Sequence, residues 1–253
     1  MECGCCGELC RRDVIRVVAE TGSTNSDLAE QLRRGEAVHE GHWLVADRQV
    51  AGRGRQGRTW FDGSGNFMGS TIVRPHPRDP QPASLALMTG LALYEAVALL
   101  LSPPQVPMLK WPNDLMLGSA KLAGILLERE GEAIVVGVGV NLAAAPDLPD
   151  RETVALSALG PAPDRDHFAQ ALAASFDREL ERWRTYGLEP LVRRWQEAAH
   201  PVGTQLTVHP PREEPITAEF AGLTAEGALS LRLADGARRV IHAGDVMLAK
   251  QEG

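Results

Sequence analysis

Between residues 52 and 59 the chain reads GRGRQGRT. Gly52, Gly54 and Gly57 satisfy G-x-G-x-x-G, while Gly52, Gly57, Arg58 and Thr59 nearly satisfy G-x-x-x-x-G-K-[ST], with arginine in place of lysine. Both patterns handle phosphate, and both need a strand before the glycines and a helix after them. WLVADRQV supplies a strand, but WFDGSGNFMGS, with Gly63, Gly65 and Gly69, is poor helix material. A Rossmann unit also wants an acid about 20 residues further on, at the end of a second strand. Asp79 lies instead in PHPRDPQP, a loop sequence. What remains is a glycine-rich loop carrying Arg48, Arg53, Arg55 and Arg58. Glycines let backbone N–H groups approach an anion closely. Arginines add bidentate, permanently charged contacts to phosphate or carboxylate. The competing reading is a solvated basic loop, and Trp60-Phe61 directly behind the arginines argues against it.

The second constellation is LKWPNDLMLGSAKLAGILLE, with Lys110, Asn113, Asp114 and Lys121 on or beside a tight strand-turn-strand. Alternation sends Lys110 and Pro112 to one face and Leu109 and Trp111 to the other. A lysine near paired apolar strands is costly to bury unless it meets an anion. Asn113 and Asp114 offer oxygens that suit Mg2+ or a hydroxyl. A turn with exposed lysines explains these residues equally well. Two lysines and an arginine loop in one chain fit stabilisation of a transferring phosphoryl or adenylyl group.

These groups need a frame. DVIRVV reads as a strand, and TGSTNSDLAEQLRRG as a helix capped by Ser23, Thr24 or Asn25 and stopped at Gly35. HWLVADRQ and NFMGSTIVRP read as strands, and residues 83 to 101 as a helix stopped by SPP. KLAGILLERE and EAIVVGVGVNL are strongly apolar and read as paired, buried strands. A Pro/Ala-rich segment runs from Ala143 to Pro163. In the long amphipathic helix that follows, Phe168, Leu172, Phe176, Leu180 and Trp183 recur at steps of four and three. EPLVRRWQEAAH makes another helix. From His200 the texture changes to short strands between Gly and Pro turns, the pattern of a small β-barrel. The expected organisation is a tail over 1–12, a catalytic domain over 13–199 and a barrel over 200–253.

The chain has 253 residues, is 44% apolar and 23% charged, and carries a net charge of -7. That composition suits a globular protein, and its acidic balance argues against nucleic acid as a partner. No apolar run approaches the roughly 18 residues of a membrane span, and the N-terminus shows no secretory signal, so a cytoplasmic protein is expected. Cys3, Cys5, Cys6 and Cys10 crowd the first ten residues. Without paired C-x-x-C spacing they read as a reduced, flexible tail rather than a zinc site.

In order, the chain shows STN, then Q-x-x-G-R-G-R-x-G-R-x-W, then K-W-P-N-D-L…K-L-x-G-I-L-x-E, then G-x-G-x-N. This series, over residues 20 to 142, resembles the biotin protein ligases, and the end of the chain is similar to that family's small SH3-like barrel. The resemblance implies an α+β fold: a mixed β-sheet with helices packed on it, like class II synthetases, plus the SH3-like barrel. It implies biotin, ATP and Mg2+ as substrates and cofactor, biotinyl-5'-adenylate as intermediate, and a lysine of a biotin carboxyl carrier domain as acceptor.

By the same resemblance, Ser23, Thr24, Asn25 and Gln49 line a biotin pocket, with Gly52, Arg53, Arg55, Lys121 and Gly124 also facing biotin. Gly124 would let a ligand approach its strand. Arg53, Arg55 and Arg58 belong to a loop closing over the adenylate, with Arg55 and Lys121 on the biotin carboxylate and α-phosphate. Trp60 would pack near adenine, Lys110 face the phosphates, Asn113 sit near metal or phosphate, and Asn141 contact the nucleotide. Arg55, Lys110, Asp114 and Lys121 form the implied catalytic set. Asp114 would orient or deprotonate the acceptor lysine. No metal ligand is assigned with certainty. Capping remains an alternative for Ser23 and Thr24, as does a buried strand-end role for Trp60. Strand-like VIRVV begins at residue 14, so no N-terminal winged helix-turn-helix and no operator binding are expected. Monomer and homodimer stay open. The rival readings are a lipoate–protein ligase and a non-catalytic biotin-binding module. The arginine loop is expected to be mobile without ligand, because four arginines repel one another.

Overall fold

A computed structural model describes residues 14–249; the cysteine-rich segment lies outside them. The elements are β1 (Ile15–Thr21), α1 (Thr24–Arg33), β2 (Trp43–Gln49), β3 (Phe67–Val73), α2 (Leu85–Ala98), β4 (Pro107–Lys110), β5 (Asp114–Leu117), β6 (Ala120–Glu130), β7 (Ala133–Val140), α3 (Arg165–Tyr186), α4 (Leu188–Glu197), and β8 to β12 (Gln205–His209, Ile216–Leu223, Leu229–Arg232, Arg238–Ile241, Asp245–Leu248). The first sheet has the order β1-β2-β3-β7-β6-β5-β4. Only β1 and β2 pair in parallel; the other neighbours are antiparallel. The second sheet, β11-β10-β9-β8-β12, is antiparallel throughout. It forms the small SH3-like unit expected from the Gly/Pro-punctuated end of the chain.

β7 explains how the first sheet works. All of its residues are buried, the signature of a strand covered on both faces. Ile134, Val136, Val138 and Val140 point into the main core beside α2 and α3, with Val45, Phe67, Leu172 and Phe176. Val135 faces the other way, into a small cluster with Leu28 of α1, Leu44 and Ile72. The period of two then places Gly137 and Gly139 on that same second face. Valines thus build the core while glycines leave a floor on the opposite side. Cross-strand neighbours share the face: Ser70 and Leu126 flank Gly137, and Met68 and Gly124 flank Gly139.

The helices follow their local signals. Asp164 caps α3 by accepting from the His167 N–H at 2.8 Å, and Gly187 ends it at φ 75°. Phe168, Leu172, Phe176, Leu180 and Trp183 are all buried. Residues 83–101 divide into a single 3-10 turn at Pro82–Ser84 and then α2, which stops at Ala98 before SPP. ARRVIHAGDVMLA forms two strands, β11 and β12. At Gly244 an added Cβ would lie 3.0 Å from the His209 carbonyl oxygen, and this close crossing separates β11 from β12.

The two sheets share one core. Leu206, Val208, Phe220, Leu229, Leu231 and Val246 belong to the same buried cluster as Leu109, Trp111 and Trp195. Trp111 Nε1 donates to the Gly227 carbonyl at 3.1 Å, and the Leu223 N–H donates to Gln196 Oε1 at 2.7 Å. The barrel is therefore fixed against the edge that carries β4 and β5. No described helix is long and apolar enough to cross a membrane.

Candidate active site

A cavity of about 2040 Å³ opens on the glycine face of the first sheet and runs to the barrel. Every sequence-predicted site residue except Gly52 lines it. Gly52 sits at its wall, where a Cβ would come within 3.2 Å of Gln49 Nε2 and the Trp60 carbonyl oxygen.

One end of the cavity is neutral and closely hydrogen-bonded. Ser23 is the N-cap of α1, and its side chain accepts from the Ser26 N–H. The Thr24 N–H donates to Gln49 Oε1 at 2.7 Å. Thr24 Oγ1 lies 2.6 Å from Ser70 Oγ, which donates to Asn25 Oδ1 at 2.6 Å. Each hydroxyl has one proton. The Ser70 proton goes to Asn25, so the single Thr24 hydroxyl proton is shared between Ser70 Oγ and Gln49 Oε1, the latter at 3.0 Å, and the Thr24 backbone N–H also serves Gln49. Asn25 Nδ2 then donates to Glu128 Oε2 at 2.7 Å. Gly137 is required beneath this chain, because a Cβ there would meet Asn25 Oδ1 at 2.3 Å. Ser23 and Thr24 thus serve as cap and wall together.

The centre of the cavity is charged. Asp114 Oδ1 accepts from Lys121 Nζ at 2.6 Å, and Asp114 Oδ2 pairs with Lys110 Nζ at 3.0 Å. Burial opposes the Asp114 charge, yet the two ammonium groups outweigh it and hold the carboxyl well below the usual carboxylate range. Segment 152–154 braces Lys121: its N–H donates to the Glu152 carbonyl at 2.9 Å, and the Val154 N–H donates back to its own carbonyl at 3.0 Å. Lys110 Nζ also donates to the Val246 carbonyl of β12 at 2.8 Å. Asn113 uses both ends of its amide, accepting from Arg55 at 2.9 Å and donating to the Ile125 carbonyl at 2.7 Å.

The arginine loop closes over this centre. Arg53 and Thr59 bridge its base, and Arg55–Gly57 forms a single 3-10 turn with Gln56 at φ 56°. Arg53 pairs with Glu128 at 3.0 Å and donates to Ser26 Oγ at 3.0 Å. Arg55 donates to the Gly244 carbonyl at 3.2 Å, and Arg58 pairs with Asp245. Arg48 pairs with Glu20 at 3.0 Å and Asp62 at 3.3 Å. Arg48, Arg53 and Arg58 each meet a carboxylate of the chain within ordinary pairing distance, and Arg55 lies 3.8 Å from Asp245. The mutual repulsion invoked for a mobile loop is therefore compensated internally, by Glu20, Asp62, Glu128 and Asp245.

Trp60 lies across the glycine floor. A Cβ on Gly139 would meet its ring at 2.2 Å, and one on Gly124 would meet Trp60 and Lys121 Nζ at 3.1 Å. Gly124 thus admits two side chains of the protein itself, where a ligand had been expected. Lys121 Nζ stands 5.8 Å from the Trp60 ring centroid. Trp60 Nε1 and Asn141 Oδ1 are buried without a hydrogen-bond partner, and both line the cavity. Asn141 Nδ2 donates to the Val154 carbonyl at 3.2 Å, which leaves its Oδ1 to accept from something else. An orphaned donor and acceptor on two residues of one cavity wall are groups that a native structure ordinarily pairs.

Five further residues belong to the site. Ser70 and Glu128 complete the chain from Thr24 to Arg53. Asp245 receives Arg58, and Arg151 lines the mouth, paired with Asp150 at 2.5 Å. His200 lines the barrel end. Glu128 ends a quoted motif, and period two from Gly124 puts it on the site face. Nothing local marked the others.

With this geometry in view, comparison with known proteins is informative. Residues 17–142 match the Biotin/lipoate A/B protein ligase family, and residues 208–248 match the Biotin protein ligase C terminal domain. A biotin–[acetyl-CoA-carboxylase] ligase of Paracoccus denitrificans is 37% identical over 91% of this chain and 98% of that protein. The chain belongs to the biotin protein ligase family. A ligase of the same name from Mycobacterium tuberculosis is 35% identical over 91% of this chain and 87% of its own length. In fold, the chain resembles the biotin protein ligase of Aquifex aeolicus solved with biotin and ATP, with a TM-score of 0.82 at 24% identity over 93% of this chain and 99% of that one.

Proposed function

We propose that this biotin ligase family member activates biotin with ATP to biotinyl-5'-adenylate, releases pyrophosphate, and passes biotin to a lysine of a carrier domain such as that of acetyl-CoA carboxylase. The observation that carries this reading is the Lys110–Asp114–Lys121 centre. Lys121 of this centre stands 5.8 Å from the Trp60 ring, which overlies Gly139, two residues along β7 from the Gly137 beneath Asn25. An uncharged ureido ring suits the pocket of Thr24, Asn25 and Gln49, and a purine suits the space beside Trp60 and Asn141.

In the first step a biotin carboxylate oxygen attacks the α-phosphorus, and the bond to the bridging oxygen of pyrophosphate breaks. Charge develops on the α-phosphate, where Lys121 and Arg55 oppose it. The mixed anhydride is water-labile, and the arginine loop latched to Asp245 limits access of water. In the second step a neutral carrier lysine attacks the carbonyl and AMP departs. Asp114 is a weak proton acceptor between its two lysines, so its role here is to hold both ammonium groups in place. This replaces the expected deprotonation by Asp114.

Mg2+ was implied by the resemblance. Asn113 and Asp114, the oxygens expected near it, are engaged by Arg55 and by two lysines. Among the described residues no group of three His, Cys, Asp or Glu could hold a metal ion. The side chains do not form a cage for it, and no step is routed through it.

ATP–pyrophosphate exchange tests the reading. Exchange that requires biotin and ignores lipoate supports it. Exchange with lipoate instead reassigns the pocket, and exchange with neither leaves a binding module.

A further inference from the structure

Glu128 of β6 stands behind the cavity wall, and the two residues it touches, Asn25 and Arg53, both line the cavity. Its Oε2 accepts from Asn25 Nδ2 at 2.7 Å and from Arg53 Nη2 at 3.2 Å, and its Oε1 pairs with Arg53 at 3.0 Å. One carboxylate thus serves a residue of α1 and a residue of the arginine loop. Two residues on, Glu130 pairs with Arg33 at the other end of α1 at 3.3 Å. Period two puts both carboxylates on the same face of β6, but the Glu130 pair holds only the helix.

The contact with Asn25 has a consequence for the pocket. A carboxylate paired with arginine accepts hydrogen bonds and gives none. Asn25 must therefore turn its nitrogen to Glu128 and its oxygen to Ser70, and Ser70 spends its proton on that oxygen at 2.6 Å. The Thr24 hydroxyl then receives no proton from Ser70. Its own proton goes towards Ser70 Oγ and Gln49 Oε1, which leaves its lone pairs for a ligand. Thr24 and Ser70 line the cavity, so their hydroxyls meet a ligand as acceptors. Gln49 Oε1 also takes the Thr24 N–H at 2.7 Å, which leaves the Gln49 amide nitrogen as a donor. Two acceptors and one donor match the two N–H groups and the carbonyl of a ureido ring. A hydrogen-bond donor in the place of Glu128 would turn the Asn25 amide round and reverse the row.

We propose that Glu128 is a positioning residue for biotin. From behind the wall it fixes the direction of the hydrogen bonds through Asn25, so that Thr24 and Ser70 present acceptors to the ureido N–H groups. Through Arg53 it also holds the arginine loop against that wall. It acts only through these neighbours and touches no substrate. The Asn25 bond does not need Arg53, so loss of the arginine frees the loop and leaves the wall directed, whereas loss of Glu128 undoes both. This deepens the ligase reading and rests on it.

The test is calorimetric binding of biotin, and of two analogues in which one or the other ureido N–H is replaced by a methylene, to wild type, Glu128→Met, Glu128→Gln, Arg53→Met and Glu130→Gln. Glu128→Met is expected to weaken biotin about tenfold, the scale of a hydrogen bond to a charged group. The analogues should lose much less, so most of the wild-type preference for biotin disappears. Glu128→Gln, which can still serve one of its two partners, should recover part of the loss. Arg53→Met should release biotinyl-5'-adenylate faster yet keep the preference over the analogues, and Glu130→Gln should bind all three like wild type. Unaltered biotin affinity in Glu128→Met overturns the proposal. So does an equal loss for biotin and both analogues, or the same loss in Glu130→Gln, since either marks a residue that merely docks α1. Loss of the preference in Arg53→Met as well would place its origin in the loop and also overturn it. Wild type that binds no biotin removes the ligase reading itself, whereas failure of the Glu128 pattern in a wild type that binds biotin removes only this proposal.

Discussion

Asp114 and Glu179 are both buried carboxylates held below their ordinary range, and they serve different ends. Burial opposes ionisation of Glu179 too, and Arg194 and Arg182 overcome it through hydrogen bonds of 2.6, 2.9 and 2.5 Å. Arg194 also reaches Glu95 at 2.9 Å, which joins α2, α3 and α4 in one network. Beside it lies a cleft of about 290 Å³. Asp114 has two lysines with N–H groups to spare, and it faces a cavity seven times that size, with orphaned polar groups along its wall. A perturbed carboxylate is thus no mark of a site by itself. Spare donors and open space distinguish the two.

The sharpest break between the regions is expected from Lys121→Ala. Loss of a cation aimed at developing charge should cut adenylate formation by about 10²–10³-fold, read by pyrophosphate exchange. Near-normal exchange would put the lysine outside the chemistry. Glu179→Ala should do the reverse. Removing one partner of a fully buried pair costs about 3–5 kcal/mol; Arg182 and Arg194 remain partly exposed and can rehydrate, so about 2–3 kcal/mol is expected here. Denaturant unfolding measures it, and exchange per folded molecule should not change. A selective loss of exchange would collapse the comparison.

Arg55→Ala comes next. It removes contacts to Asn113 and the barrel loop, and bound biotinyl-5'-adenylate should dissociate about tenfold faster. Retention equal to wild type would exclude the arginine from the lid. The smallest effect is a pH slope. His200 has a lowered pKa, so the unfolded chain takes up a proton first as pH falls below 6.5. Stability should decline from there to about pH 4, where the folded form also protonates, by at most ~1.4 kcal/mol per unit. His200→Phe should flatten that part of the curve. Asp114 and Glu179 act lower still, since lowered carboxylates lose their stabilising charge only as pH falls through the carboxylate range.

Much of this was readable in one dimension. Period two in VVGVGVN assigns valines to the core and glycines to the cavity floor, because a strand alternates faces whatever lies beyond it. A cap among Ser23, Thr24 and Asn25, the buried stripe of α3 and the change of texture at His200 are equally local. The split at Gly244 has no such local cause, because it comes from a carbonyl on another strand. Lys110 and Asp114 were visible as residues, but that Asp114 pairs with Lys121 as well as Lys110 was not.

The sequence by itself determined which groups could do chemistry and which faces they occupy, since residue type and backbone period are properties of the chain. Tertiary structure alone decided how those groups are paired. Asp245 lies 187 residues from Arg58 and Lys110 lies 136 residues from Val246, and no local pattern encodes a contact made by docking a barrel on the edge of a sheet. Charge is written in the sequence, but a pKa depends on the distance and burial of its neighbours, and only the fold supplies those.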